Sequence, residues 1–206
     1  MRPVRLTYAP ADADLTRYLS NATGATWTLT ETATTDSLAH TVTIQNDTAT
    51  DHSVKTALLT GTDFAGRVLT EIINLPGANL TVATTRYFKT LTSIVPSATI
   101  GADTMDIGQG AGFMSFLIGT NWRGGETSVN LDITGEMDVT VQQTFDDIQD
   151  PVDFDYFWQD APIAKLVNAT ASTNAVYVGV PTAIRLIGNS STAPASVVIS
   201  VVSRDI

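Results

Sequence analysis

Among the side chains that could take part in catalysis or metal binding, carboxylates are the most closely spaced in this sequence. Several carboxylate oxygens in one loop suit Ca²⁺, and a pair of carboxylates suits glycosidic bond hydrolysis. The spacing of these aspartates lacks the glycine of the helix–loop–helix calcium loop, and Pro151 interrupts the acidic segment. A glycosidase pair could be drawn from any two of the six aspartates, so that signal is unspecific. We therefore interpret the cluster as a solvated acidic loop without a cofactor, and calcium binding stays open as the alternative. The six residues are Asp146, Asp147, Asp150, Asp153, Asp155 and Asp160.

The two histidines, His40 and His52, are the other candidates for acid–base chemistry. Asp51, His52 and Ser53 have the composition of a catalytic triad. Consecutive residues of an extended chain point to alternate sides, so these three cannot form the required relay. The sequence contains no G-x-S-x-G or H-E-x-x-H motif, and it has no cysteine for a thiol nucleophile or a disulfide. We expect no catalytic residues and no enzymatic activity.

Aromatic side chains are interleaved with the acidic ones. Four large rings among aspartates either fold back as a lid on the chain's own core or anchor another protein chain, where aromatic centres with charged rims are usual. The two interpretations stay open. The residues that would bind a partner are Phe154, Tyr156, Phe157 and Trp158.

A strand must position this segment, because apolar and polar residues alternate just before it. Met137, Val139, Val141 and Phe145 fall on one predicted face of that strand. From Ala25 onward, similar short runs of threonine, valine and isoleucine are separated by turn residues about every ten positions. This pattern predicts an all-β fold of the β-sandwich or jelly-roll type.

The domain organisation is predicted in three segments. Asp12 or Asp14 could cap a short helix near the N-terminus, although an extended arm is equally compatible with the sequence. The glycine-rich residues 109–112 are predicted as a linker, unless one continuous domain runs through them. The segments are residues 1–24 as the arm or short helix, 25–108 as a β-sandwich-like half, and 113–206 as a second β half with the aromatic–acidic loop 146–162.

Charge and hydropathy exclude several partners. The formal net charge is −10, which argues against nucleic acid and anionic membrane, since phosphate contacts need a basic surface. No apolar run is long enough to span a bilayer, and the first residues lack the apolar core of a secretory signal. We expect a soluble, non-secreted protein.

A tight hairpin turn is predicted between Gly61 and Gly66. Asp63 should accept hydrogen bonds from backbone amides, and Gly66 should adopt a positive φ that other residues avoid. The prediction assigns these residues a structural role.

Two stretches resemble β-rich virion structural proteins of tailed bacteriophages. TGTDFAGRVLTEIINLP followed by RYFKTLTSI matches their GTD-x-x-G hairpin, a strand with a Thr-Glu pair, and an aromatic–Lys–Thr strand. VTVQQTFDDIQDP and VPTAIRLIGNSSTAPASVVISVV match their C-terminal half. The matching positions are Gly61, Thr62, Asp63, Gly66, Thr70, Glu71, Phe88, Lys89, Thr90, Thr144, Phe145, Asp146, Asp147, Pro181, Ile184, Arg185 and Leu186.

The resemblance implies a non-enzymatic component of a phage particle, assembled in the host cytoplasm. A capsid decoration or cement protein is the leading expectation, bound to the major capsid protein or other virion proteins. Such a protein would be a homo-oligomer, first expected as a trimer because capsid threefold positions suit one. A head–tail connector or tail ring component is the alternative. A carbohydrate-binding module that contacts the host surface is the second alternative.

Overall fold

The computed structural model describes residues 4–120, 125–148, 156–178 and 181–204 of the 206-residue chain. Within these residues the backbone forms β-strands and one short 3-10 turn, Ala164–Leu166, and no α-helix. The predicted all-β fold is confirmed. No helix among the described residues is long and apolar enough to cross a membrane. The strands are β1 (Val4–Tyr8), β2 (Asp14–Ala22), β3 (Ala39–Asn46), β4 (Thr56–Thr62), β5 (Val68–Asn74), β6 (Thr81–Ala83), β7 (Thr90–Pro96), β8 (Met105–Met114), β9 (Ile118–Gly119), β10 (Glu126–Thr144), β11 (Gln159–Asp160), β12 (Thr173–Val178) and β13 (Ala183–Arg204).

The chain divides into two compact units. We call residues Ala11–Phe113 the central unit, and Met1–Pro10 together with Met114–Ile206 the terminal unit. The first strand belongs with the terminal unit because β1 pairs antiparallel with β13, from Val4 opposite Val201 to Tyr8 opposite Val197.

Within the N-terminal segment, Val4–Tyr8 and Asp14–Ala22 are β-strands, so the short-helix alternative for residues 1–24 is wrong. Asp14 does accept a hydrogen bond from the Thr16 amide at 3.1 Å, but this is a local turn and not a helix cap. Pairing of β2 with β8 buries Tyr18 and Ala22. An isolated short helix is marginal in water, so this pairing and burial decide the conformation.

Residues 109–112 are not a linker, because they lie inside strand β8. The glycines are there for close packing against neighbouring chain segments. A Cβ atom at Gly108 would lie 2.2 Å from the Asp14 carbonyl oxygen, and one at Gly110 would lie 2.3 Å from Thr41 Oγ1. Larger side chains would push these segments apart.

The central unit is a β-sandwich. One sheet has the order β5-β4-β7, and the other contains β8-β3-β6 with β2 paired to β8. Their facing side chains form one buried core. The core includes Tyr18, Val42, Ile44, Ala57, Leu59, Leu91, Ile94, Met105 and Ile107 from the strands, together with Trp27, Leu75, Phe88 and Ile100 from the connections.

The turn between β4 and β5 has the predicted geometry. Asp63 Oδ1 accepts the backbone amides of Ala65 at 2.8 Å and Arg67 at 3.0 Å, and its Oδ2 accepts Arg67 Nε at 2.7 Å. Gly66 has a φ of 80°. The predicted roles of Asp63 and Gly66 in the hairpin are confirmed.

Glu71 shows why a carboxylate follows a threonine in the middle of β5. Its two oxygens accept the backbone amides of Thr85 at 2.8 Å and Arg86 at 2.9 Å. The side chain thereby fixes the loop that precedes Phe88, whose ring is fully buried. Glu71, the glutamate of the Thr-Glu pair in the resemblance, therefore has a structural role.

The terminal unit is built on a long antiparallel ribbon of β10 and β13. Its register runs from Glu126 opposite Arg204 to Thr144 opposite Ala183, with irregularities between Thr134 and Glu136 and between Asp138 and Val139. Strands β12 and β11 pair with β10, and β1 and β9 pair with β13. Its buried aliphatic residues include Val129, Leu131, Val139, Val141, Ile184, Leu186, Val197 and Ile199.

Replacing Gly66 by valine should destabilise the fold by about 1–2 kcal/mol, since β-branched residues resist a positive φ. Thermal and urea unfolding would measure the loss. Gly119→Val is the matched control: that glycine is exposed, has no positive φ, and a Cβ there meets nothing within 4 Å. Equal stability of the two variants would contradict a conformational role for Gly66.

Candidate interaction surface

The structure places the predicted rings in different settings. Tyr156 and Trp158 are partly buried, whereas the side chain of Phe157 is 72% exposed. Phe154 lies outside the described residues, as do Asp150, Asp153 and Asp155. The described part of the segment is therefore neither a fully buried lid nor a fully exposed cluster.

Trp158 stacks on a cation from the opposite strand of the ribbon. The guanidinium carbon of Arg185 lies 4.2 Å from the centre of the Trp158 ring system. The same guanidinium donates from Nε and Nη2 to Gln142 Oε1 at 3.0 and 2.8 Å. Arg185 and Gln142 are register partners in the ribbon, so strand pairing fixes the cation under the ring.

The Gln142 side-chain amide also bonds β11, which follows Trp158 in the chain. Its Nε2 donates to Asp160 Oδ1 at 3.0 Å, and Gln142 pairs with Asp160 where β11 joins β10. Arg185 Nη1 also lies 3.1 Å from Met114 Sδ. A neutral amide thus links a carboxylate to a guanidinium, and the network holds the ring-bearing segment on the ribbon.

Thr144 and Asp146 close the turn at the end of β10. The Asp146 amide donates to Thr144 Oγ1 at 3.1 Å, and the Phe157 amide donates to Asp146 Oδ2. The Tyr156 hydroxyl donates to the Ile148 carbonyl at 3.1 Å. These bonds fix the backbone next to Phe157 and leave its ring in solvent.

Phe145 is misplaced by the sequence pattern. The alternation puts it on the buried face with Val139 and Val141, but β10 ends at Thr144 and Phe145 is 53% exposed. The turn that follows Thr144 rotates the side chain out of the pleat. We call Phe145, Tyr156, Phe157 and Trp158 the aromatic patch; Asp146 and Asp160 are its exposed acidic neighbours.

His52 does not form a triad with its sequence neighbours. Its Nε2 lies 3.0 Å from Asp103 Oδ2, and its Nδ1 lies 3.0 Å from Lys55 Nζ. Asp51 instead accepts the Ser53 amide at 2.8 Å. Because the Lys55 ammonium only donates, the Nδ1 lone pair is occupied and does not face a hydroxyl nucleophile.

His40 is a structural residue of the central unit. It is fully buried, with Nδ1 3.0 Å from the Gly110 carbonyl oxygen and Nε2 2.8 Å from Asp36 Oδ2. Asp36 also accepts the amides of Ala11 at 2.7 Å and Leu38 at 2.9 Å. Burial raises the pKa of Asp36, but the hydrogen bonds from His40 and these amides outweigh it and lower the pKa below its usual value.

The described residues contain no cluster of three or more histidine, cysteine or carboxylate side chains placed to hold a metal ion. The calcium alternative involves Asp150, Asp153 and Asp155, which lie outside them. A shallow groove of about 230 Å³ lies on the terminal unit, where Val176 and Val202 flank Ser128 in register and Glu126 completes the lining.

Arg185 and Gln142 organise the aromatic patch. The resemblance includes Arg185 without giving it this role, and neither periodicity nor composition singles out Gln142. The available signal was a single arginine in the otherwise apolar run at residues 183–187, since a partly buried cation needs a partner. Comparison with protein-family models, curated protein sequences and solved structures gave no match. What the patch does must therefore follow from its own chemistry.

Asp36→Asn should lower the free energy of unfolding by about 1–3 kcal/mol at neutral pH, because hydrogen bonds to a charged group are lost. A folded-state pKa below the unfolded value of about 3.9 means that the contribution is present above that pH. It is lost as the pH falls through the lowered pKa. The stability difference between parent and variant, from urea unfolding at several pH values, should therefore shrink in acid.

Asp47→Asn is the control for Asp36→Asn, because Asp47 is exposed and its Oδ1 bonds only the nearby Gln45 side chain among the contacts described. It should change stability little at any pH. A stability gap for Asp36→Asn that stayed constant down to strong acid would contradict the ionised Asp36.

A double-mutant cycle should reveal coupling between Trp158 and Arg185. Trp158→Ala should cost less than the about 3–5 kcal/mol of a fully buried tryptophan. The coupling energy of Trp158→Ala with Arg185→Ala should be about 0.5–2 kcal/mol. The cycle cancels the loss of the Gln142 bonds, and additive effects would show that the stacking contributes nothing.

Proposed function

We propose that this protein is a non-enzymatic structural component of a tailed-phage particle, and that it decorates or cements the capsid. The observation that carries the proposal is that the aromatic patch exposes two phenylalanines, Phe145 and Phe157, while hydrogen bonds within the chain hold its backbone. The resemblance of the hairpin and C-terminal strands to virion proteins supports the same class. The described histidines have structural partners, which is consistent with a non-catalytic role.

Order in the patch before binding favours its use as an anchor. The stacking of Trp158 on Arg185 and the bond from Phe157 N to Asp146 fix the segment within the chain itself. The entropy cost of ordering these residues then falls on folding and not on association. An aromatic anchor beside a polar rim is the usual anatomy of an interaction hot spot.

The size of the expected binding energy favours a repeated partner. Burying one phenylalanine contributes about 1.5–3 kcal/mol, so two rings contribute about 3–6 kcal/mol. A dissociation constant of about 1 μM requires about 8 kcal/mol. The patch alone would thus bind weakly, whereas several linked copies on a capsid lattice would bind firmly through avidity.

The acidic neighbours give the surface its specificity. The net charge of −10 favours solubility, and Asp146 and Asp160 lie next to the exposed rings. A partner surface with an apolar pocket and a basic rim would complement this patch. The major capsid protein or another virion protein is the proposed source of that surface, with the decorating chain itself a homo-oligomer.

A head–tail or tail ring position is the alternative within the same class, and copy number separates the two. A carbohydrate-binding module that contacts the host surface is the second alternative, and glycan binding by the exposed Phe157 ring would indicate it.

The proposal predicts that purified particles from the source of this sequence contain the chain. Hundreds of copies per particle would indicate decoration, a dozen or fewer would indicate a neck or tail ring, and absence would overturn the proposal. Quantitative mass spectrometry and imaging of the particles would provide the count.

Phe157→Ala should remove the chain from particles without changing its melting temperature. Val54→Ala is the matched control, because Val54 is 91% exposed in a turn of the central unit, away from the patch in sequence. It should enter particles like the parent. Normal incorporation of Phe157→Ala would show that the aromatic patch is not the anchor.

A further inference from the structure

No outward-facing residue of the β5-β4-β7 sheet is charged, and the Arg86 guanidinium lies beside β5, 3.4 Å from the Thr70 carbonyl oxygen. Strands β4 and β7 contain no charged residue at all, and the one in β5, Glu71, alternates with the exposed positions and bonds the loop at residues 85–86. Exposed threonines, aliphatic residues and Asn74 make up the rest of the face. A surface of this size normally carries several charges, at about 25–35% of its residues.

An apolar stripe crosses all three strands of this face. Leu58 in β4 stands opposite Ile72 in β5 and opposite Val95 in β7. The three side chains are 41%, 67% and 54% exposed, respectively. Directly opposed residues on adjacent strands have contacting side chains, so the stripe is continuous.

The charge distribution of the chain identifies the occupant. Two copies with a net charge of −10 repel each other wherever their carboxylates face. The uncharged sheet face is a place where two copies approach without that cost. An uncharged face also gives a charged foreign partner nothing to pair with, so its best complement is a second uncharged face of the same kind.

We propose that the outer face of the β5-β4-β7 sheet packs against the same face of a second copy of this chain. A twofold axis along β4 brings Leu58 onto the partner subunit's Leu58, and Ile72 onto the partner subunit's Val95. The stripe is apolar on both sides of Leu58, so it is self-complementary about that axis. An isologous contact of this kind closes as a pair, and it would not by itself build the trimer expected from the resemblance.

The contact is small. Three strands spaced about 4.8 Å apart and seven residues long cover roughly 14 by 23 Å, or about 300 Å² per copy. A stable specific interface buries about 1,200–2,000 Å² in total. The pair is therefore weak in dilute solution and forms at high protein concentration.

Sedimentation equilibrium over a concentration series up to the low-millimolar range tests the pairing. The parent should show a reversible monomer–dimer equilibrium. Leu58→Glu should weaken it more than about tenfold, because two carboxylates then meet on the axis. Val54→Glu adds the same charge at an exposed turn outside the face and should pair like the parent.

An equimolar mixture of Leu58→Glu and Leu58→Lys is the more specific test of the proposed geometry, because a mixed pair places opposite charges on the twofold axis. The mixture should pair more tightly than either variant alone. If thermal unfolding shows that Leu58→Glu does not fold, a mixture of Ile72→Glu and Val95→Lys replaces it, since these two positions face each other in the pair.

A parent that stays monomeric throughout the series overturns the proposal. So does pairing of Leu58→Glu at the parent's strength, or a mixture that pairs no better than its components. The inference does not rest on the proposed function: a chain that pairs in solution but is absent from particles would overturn the proposed function alone.

Discussion

The register between β10 and β13 is the constraint on which the surface of the terminal unit depends. It places Gln142 opposite Arg185, and from that pair follow the stacking on Trp158 and the bond to Asp160. A slip of one residue would turn Arg185 to the face occupied by Ile184 and Leu186, both fully buried. The cation would then lose its ring and its amide partner, which makes the slipped register costly. The aromatic patch and the buried aliphatic face therefore specify the same pairing.

Local chemistry was predictable from the sequence where a residue acts on its near neighbours. Asp63 and Gly66 form their turn because a carboxylate caps nearby amides and glycine accepts a positive φ. Thr144 and Asp146 close the end of β10 in the same way. The alternation of threonine with aliphatic residues gives the all-β class, since a pleated strand with one buried face requires it. These effects need no knowledge of distant segments.

Non-local partners decided what the pattern missed. Tyr18 lies in β2 because β2 pairs with β8. Position 110 in β8 is a glycine because the Thr41 side chain occupies the space that a Cβ atom would need. Arg185 becomes a site residue only when β13 returns beside β10 more than forty positions away. His52 likewise finds Asp103 and Lys55 instead of Asp51 and Ser53. None of these partners is visible within a window of neighbouring residues.

The pairing of β1 with β13 makes the terminal unit discontinuous in sequence, with the central unit inserted between its first strand and the rest. During synthesis the central unit has all of its strands available long before β13 leaves the ribosome. Residues Val4–Tyr8 have no pairing partner until β13 has been synthesised. Domains generally fold as units in the order of synthesis, so the middle of this chain folds first and its two ends close last. The pairing of β1 with β13 is a long-range strand closure, and we expect its rate to depend on topology more than on local propensity.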